Sequence, residues 1–195
     1  MRSGDLKKAK RAVRRSVLAA RDALSLLDRE ALGKAIAARV MALDEIARAR
    51  TIMVFWSFGS EVPTGPLIEA LRAPGIAVAL PRIEGPDLQV RTFAPGDPVA
   101  PTAFGAMEPT GGVVLQPADL DVIITPAVAF DPDGHRVGYG GGFYDRLFPK
   151  APRAARIGIA YDLQVLDGPM PVGSFDLPVH VIVTQSRTLR CSPST

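Results

Sequence analysis

A chain of 195 residues, 47% hydrophobic and 22% charged, is long enough to bury a substantial core and has the composition of a soluble globular protein. One cysteine and two histidines exclude an intrachain disulfide, a multi-cysteine zinc site and histidine-rich metal chemistry. The net charge of +3 is uneven: residues 1–25 hold eight basic and two acidic residues (+6) and the remainder 15 and 18 (−3), which is weak ground for general nucleic-acid affinity.

Residues 5–24 read as an amphipathic helix. Leu6, Ala9, Val13, Val17, Ala20 and Leu24 form an apolar stripe at steps of three and four, and Lys7, Lys10, Arg14 and Arg21 form a basic stripe about 90° round the same helix. Ser25 is a turn or cap before a second helix, about 28–48. Residues 51–56 (TIMVFW) form a buried strand, and 64–72 a helix with Pro66 tolerated in its first turn. A strand over 76–80 is ended by Pro81, and 88–93 (LQVRTF) alternates as an antiparallel or edge strand does. The Pro- and Gly-rich residues 95–119 read as irregular surface chain. A buried strand follows at 121–125, then extended chain at 127–130, and Asp131–Gly134 signals a turn before Arg136-Val137. Residues 142–149 read as a helix, 156–161 and 179–184 as strands, and 187–195 as a flexible tail. The fold class is α/β: one three-layer domain across 1–195 with a mostly parallel mixed sheet, preceded by the basic helix. No apolar run is long enough to span a membrane and no signal-peptide pattern opens the chain, so a cytosolic protein is expected.

The most informative stretch is 134–146, GHRVGYGGGFYDR. Gly138, Gly140, Gly141 and Gly142 lie within five positions, which implies backbone approaching something closely. The flanking arginines and aspartate suggest an anion such as phosphate, with its metal ion. The run is neither a P-loop nor a dinucleotide fingerprint: no Lys follows in P-loop register, and position 143, where a third fingerprint glycine belongs, is Phe. No nucleophile elbow and no Cys/His pair is present. The bland alternative is a structural turn between hairpin and helix. A phosphate loop without its own lysine needs other cations. Arg136 and Arg146 are local, and Lys10 and Arg14 lie on the first helix, whose stripe has the competing reading of a solvated face.

These residues resemble the 5-formyltetrahydrofolate cyclo-ligase family. Its strongest motif, Arg-Leu-Gly-x-Gly-x-Gly-Tyr-Tyr-Asp, is similar to RVGYGGGFYD at 136–145. In order along the chain, KRAVR (10–14), WSFGSEVPT (56–64), Glu108-Pro109, DVIITPAVAFDPDGHR (121–136), GIAYDLQ (158–164) and SFDLPVHVIVTQ (174–185) resemble its other segments. The sequence departs from the pattern at four positions: Val137 for leucine, Phe143 for tyrosine, Gly141 where some members have lysine, and His180 where aspartate is common. The resemblance implies ATP- and Mg²⁺-dependent closure of 5-formyltetrahydrofolate to 5,10-methenyltetrahydrofolate, with release of ADP and phosphate through a phosphorylated formyl group. It implies that Lys10, Arg11 and Arg14 approach ATP phosphates. Arg136, Val137, Gly138, Tyr139, Gly140, Gly141, Gly142, Phe143 and Tyr144 would wrap the nucleotide, with Arg136 and Tyr144 as catalytic groups. Trp56, Glu61 and residues 139–143 would hold the folate, and Asp145 and Asp176 magnesium. From the residues alone, Asp145 is equally a helix-start acid, Asp176 a turn residue, Trp56 core and Glu61 a surface acid. Tyr161 and Gln164 are weaker candidates for the lining. The expected partners are reduced folate and ATP, with no nucleic acid, no membrane and a monomeric state. A rival reading is an RNA-binding or regulatory protein that keeps the fold, against which stands the absence of any aromatic-basic stacking motif.

Overall fold

The computed structural model describes residues 3–72, 75–102 and 105–191. Its centre is the continuous apolar run Thr51–Val54 (β1), paired in parallel with Ala77–Glu84 (β2) on one side and Val122–Thr125 (β7) on the other. Between β2 and β7 the chain forms Asp87–Thr92 (β3), Val99–Pro101 (β4), Met107–Pro109 (β5) and Val114–Leu115 (β6). Beyond β7 lie Ala129–Phe130 (β8), Arg136–Val137 (β9), Ala155–Ile159 (β10), Val181–Val183 (β11) and Thr188–Arg190 (β12). Eight of these make one sheet in the order β12-β11-β10-β7-β1-β2-β3-β6. The five central strands are parallel; β12, β3 and β6 run antiparallel at the margins.

Alternation along the strands divides the interior. Ile52, Val54, Val122, Ile124, Ile157 and Val181 point to one face, where helices Leu26–Met41 (α2), Asp44–Arg48 (α3) and Gly65–Leu71 (α4) cover them. Met53, Ile123 and Ile182 point to the other, under Phe143–Leu147 (α5) and the 3₁₀ turn Phe148–Lys150. Two covered faces are what makes the central strands apolar throughout. The basic helix Ser3–Asp22 (α1) sits apart from both layers, with Val17 packed on Val128, Ala129, Val137 and Met170.

Four sequence expectations are corrected. Pro81 does not end its strand: β2 continues to Glu84 in register with β3. Phe93 N–H donates to Val78 O at 2.8 Å, so two-residue alternation turns the nitrogen of Pro81 away from β3, and pairing with β1 has already stopped at Ala79. The helix expected over 28–48 starts at Leu26, capped by Ser25, whose Oγ accepts the Asp28 N–H at 3.0 Å. It breaks at Leu43, which turns extended and buries its side chain before α3 begins. The stretch 95–119 is not wholly irregular, since β4 pairs β5 and β6 pairs β3. The tail expected from 187 is not free: Thr188–Arg190 pair antiparallel with β11. Residues 192–195 lie outside the described part.

Gly158 on β10 carries one side of this packing. The Phe130 ring lies where a Cβ would be, 2.5 Å from its ideal position. Gly158→Ala is therefore expected to displace Phe130 and lower stability by about 1–3 kcal/mol, read as an earlier urea midpoint. An unchanged midpoint would mean that the ring yields without cost.

Candidate functional site

The order of the parallel strands reverses at β1: the chain continues to β2 on one side, while β7, β10 and β11 lie on the other. Such a reversal opens a crevice beyond the carboxyl ends of the two strands beside it, here β1 and β7. The segments leaving those ends are 55–64 and 126–142, and they meet where the Phe58 and Tyr139 rings lie 5.3 Å apart. The second segment forms the predicted hairpin, β8 against β9, with a turn at Asp131–Gly134. Asp131, wholly buried, fixes that turn by accepting the His135 N–H at 2.8 Å and the Met170 N–H at 3.1 Å.

The glycines then reverse the chain into α5. Gly140 (φ 110°) and Gly142 (φ 66°) occupy conformations that side chains avoid. Gly141 does not, but a Cβ there would lie 2.6 Å from the Phe143 ring. Two of the departures from the family pattern, Gly141 and Phe143, are thus in contact with each other.

From Lys10 onward the basic stripe of α1 faces the site rather than solvent. Lys10 pairs with Asp176. Arg14 Nε donates to Gly138 O at 2.6 Å, and Arg21 Nη2 to the Tyr139 hydroxyl at 2.7 Å. Arg11 and Lys7 are exposed, and no hydrogen bond or ion pair among the described residues joins Arg11 to the glycines. Arg146 also departs from its expected role. It donates to Pro86 O and to Gly141 O (2.9 Å), pairs with Asp87 at 3.3 Å and covers the Phe143 ring. It tethers the segment to the β2–β3 turn.

Arg136 lies beneath, its side chain 7% exposed, with Nη2 donating to Asp145 Oδ1 at 2.9 Å. Its guanidinium stands 5.6 Å from the Tyr144 ring centre and 5.0 Å from that of Phe148. Burial weakens its hold on the proton, and Asp145, Tyr144 and Asp176 oppose that effect. Its Nε is buried without a partner. Tyr144 is partly exposed by surface area, yet burial of the hydroxyl raises its pKa far above the usual value and keeps it neutral.

Asp145 and Asp176 occupy the helix-start and turn positions expected of them, and each also takes a cation from elsewhere in the chain. Asp145 stands in the first turn of α5, but Oδ1 takes Arg136 and the Leu177 N–H (3.3 Å). Asp176 Oδ2 closes a turn with the Gly173 N–H at 2.6 Å and also receives Lys10. In each carboxylate the other oxygen has no hydrogen bond among the described residues. No cluster of three or more metal-ligating side chains occurs among them. That donor set suits Mg²⁺ carried by phosphate oxygens with one or two protein carboxylates, rather than a closed protein cage.

On the β1 side, Glu61 is 5% exposed, not a surface acid. Its Oε2 accepts the Phe58 N–H at 3.1 Å and its Oε1 is buried without a partner. Burial raises its pKa to about 7, against smaller opposing effects of the Phe58 N–H, Arg21 and the Tyr139 hydroxyl. Trp56 is half-buried and packs edge-on against Phe93 at 5.7 Å, on the core side of the strand end. Tyr161 and Gln164 are buried supports: the Tyr161 hydroxyl donates to Glu61 O at 3.2 Å, and Gln164 Nε2 donates to Ala127 O and Val128 O. His180 is exposed, with Arg156 against its Nε2, and does not join the cluster. The residues missed by sequence reasoning are Ser60 and Arg21. Arg21 stood in the basic stripe, seven positions beyond Arg14, but nothing local marked it as buried.

Comparison with known proteins gives one consistent family. A family model described as the 5-formyltetrahydrofolate cyclo-ligase family matches residues 6–185. The 5-formyltetrahydrofolate cyclo-ligase of Escherichia coli K12 is 36% identical over 174 residues, 86% of this chain and 95% of that protein. The Haemophilus influenzae protein of the same name is 31% identical over 178 residues, covering 88% and 95%. The NMR structure of Aquifex aeolicus 5,10-methenyltetrahydrofolate synthetase superposes with a TM-score of 0.83 at 31% identity, over 95% of this chain and 94% of that one.

Proposed function

The chain belongs to the 5-formyltetrahydrofolate cyclo-ligase family, and from that premise we propose that it closes 5-formyltetrahydrofolate to 5,10-methenyltetrahydrofolate at the expense of Mg·ATP, in the cytosol. The observation that carries this reading is the meeting of the two crevice segments. Lys10, Arg14, Arg136 and two half-free carboxylates gather at the glycine segment, and a buried acid, Glu61, lies across Tyr139 from them.

The formyl oxygen takes the γ-phosphoryl group and ADP leaves. The neighbouring folate nitrogen then attacks the formyl carbon and gives up its proton to solvent, and the carbon–oxygen bond breaks with departure of phosphate. No protein nucleophile is required; positioning and charge stabilisation suffice. Lys10 and Arg14 neutralise phosphate oxygens, and the open backbone at Gly140 and Gly142 allows close approach. Arg136 offers its unpartnered Nε to the charge that develops on the transferring group. Asp145 and Asp176 each have an oxygen to share with Mg²⁺, which supplies further neutralisation when it arrives with the nucleotide. Trp56 and Glu61 bound the folate side. Residues 3–191 act as one domain, because the site draws on both ends of that span.

Incubation with 5-formyltetrahydrofolate and Mg·ATP is expected to produce the methenyl chromophore and ADP in equal amounts. ADP formation without the chromophore would point to another phosphoryl acceptor, and neither product would overturn the reading.

A further inference from the structure

Arg21 is 2% exposed, although it comes from the charged stripe of α1. Its Nε donates to Ser60 Oγ at 2.9 Å, and the Ser60 hydroxyl in turn donates a hydrogen bond to Asp22 Oδ1. Its Nη2 donates to the Tyr139 hydroxyl. Its Nη1 is buried and has no partner. Beside the same hydroxyl lies Glu61, whose Oε1 is also buried and unpartnered. Arg21 favours the charged form of Glu61, yet no ion pair or hydrogen bond joins the two among the described residues. A buried charged donor and a buried acceptor without a partner are costly to leave so. Side chains so close, of opposite charge and still unpaired, fit a ligand group that comes between them.

We infer that Arg21 adds a second contact to the pyrimidine edge of the substrate ring that Glu61 bounds, its Nη1 donating to the 4-oxo oxygen. This inference rests on the folate reading above. A reduced pterin presents the 2-amino group, N3–H and O4 in a row: two donors, then an acceptor. A carboxylate beside a guanidinium N–H presents the complementary order. Tyr139, held by Arg21, ties the folate side to the glycine segment.

The test is calorimetric titration of the full chain at pH 8, where neither the pterin ring nor Glu61 carries an extra proton. The probes are 5-formyltetrahydrofolate and its 4-amino counterpart, which places a donor where O4 was. The wild type is expected to prefer the 4-oxo compound by at least about tenfold, since a guanidinium facing an amino group is left unpaired. Arg21→Met should weaken 4-oxo binding by roughly 10–100-fold and change 4-amino binding by less than about threefold. Tyr139→Phe, which leaves Nη1 in place, should keep the preference. Equal losses for both probes in Arg21→Met, or a Tyr139→Phe profile that matches it, would overturn the inference in favour of a purely structural arginine. Should Arg21→Met fail to fold, the wild-type comparison decides alone: equal affinities overturn the contact. A wild type that binds neither probe overturns the folate reading itself, whereas binding without preference overturns only the role of Arg21.

Discussion

Arg136→Ala is expected to lower turnover by roughly 10²–10³-fold, the usual effect of removing one preorganised donor from a developing charge. The guanidinium is fixed by Asp145 on one side and by the Tyr144 and Phe148 rings on the other, so it needs no reorganisation during the reaction. Lysine should not rescue it, because an ammonium cannot serve Asp145 and the substrate with separate in-plane donors. Removing the cation also leaves Asp145 paired only with the Leu177 N–H, so thermal unfolding must be measured beside turnover. Turnover within about threefold of wild type would contradict a role for Arg136 at the phosphoryl group.

Glu61→Gln is expected to act in opposite directions on binding and stability. The folded carboxyl titrates at about 7 against an ordinary value of 4.5. Its contribution to stability is therefore fully present below pH 4.5 and is lost as pH rises through 7, a change on the order of 3 kcal/mol. At pH 8 the glutamine variant, which carries no buried charge, should resist urea better than the wild type. In the proposed site, folate binding needs the acceptor that ionisation of Glu61 creates. The wild-type KM for 5-formyltetrahydrofolate should fall as pH rises from 6 to 8, by up to about tenfold per unit below the pKa. In Glu61→Gln the KM should be about 10–100-fold higher at pH 8 and nearly independent of pH. A variant that is both weaker in binding and less stable at pH 8 would place the carboxylate in a structural ion pair instead.

The central strands were legible because a sheet covered on both faces leaves long apolar runs, as in Thr51–Val54 and Val122–Thr125. The hairpin before the glycines was legible from Asp131–Gly134 alone. What escaped was information held between distant segments. Whether Pro81 ends a strand depends on which way its nitrogen faces, and β12 exists because β11 offers it an edge. At the site, the glycine run and the stripe of Lys10, Arg14 and Arg21 could be read as patterns. Their pairing could not, and Arg146, which looked like a phosphate cation, was already engaged with Pro86 and Gly141. Glu61 looked like a surface acid because burial is a property of what α1 and the 126–142 segment place around it.

The contact between Lys10 and Asp176 spans 166 positions. During synthesis at about 5–20 residues per second, Lys10 is added to the chain roughly 8–33 seconds before its carboxylate partner exists. Arg14 and Arg21 wait almost as long for Gly138 and Tyr139. A nascent or prematurely ended chain therefore offers a basic helix but not the assembled cluster of Lys10, Arg14 and Asp176. Activity should appear as a single late event in translation, when the segment carrying Asp176 emerges and the first helix finds its place.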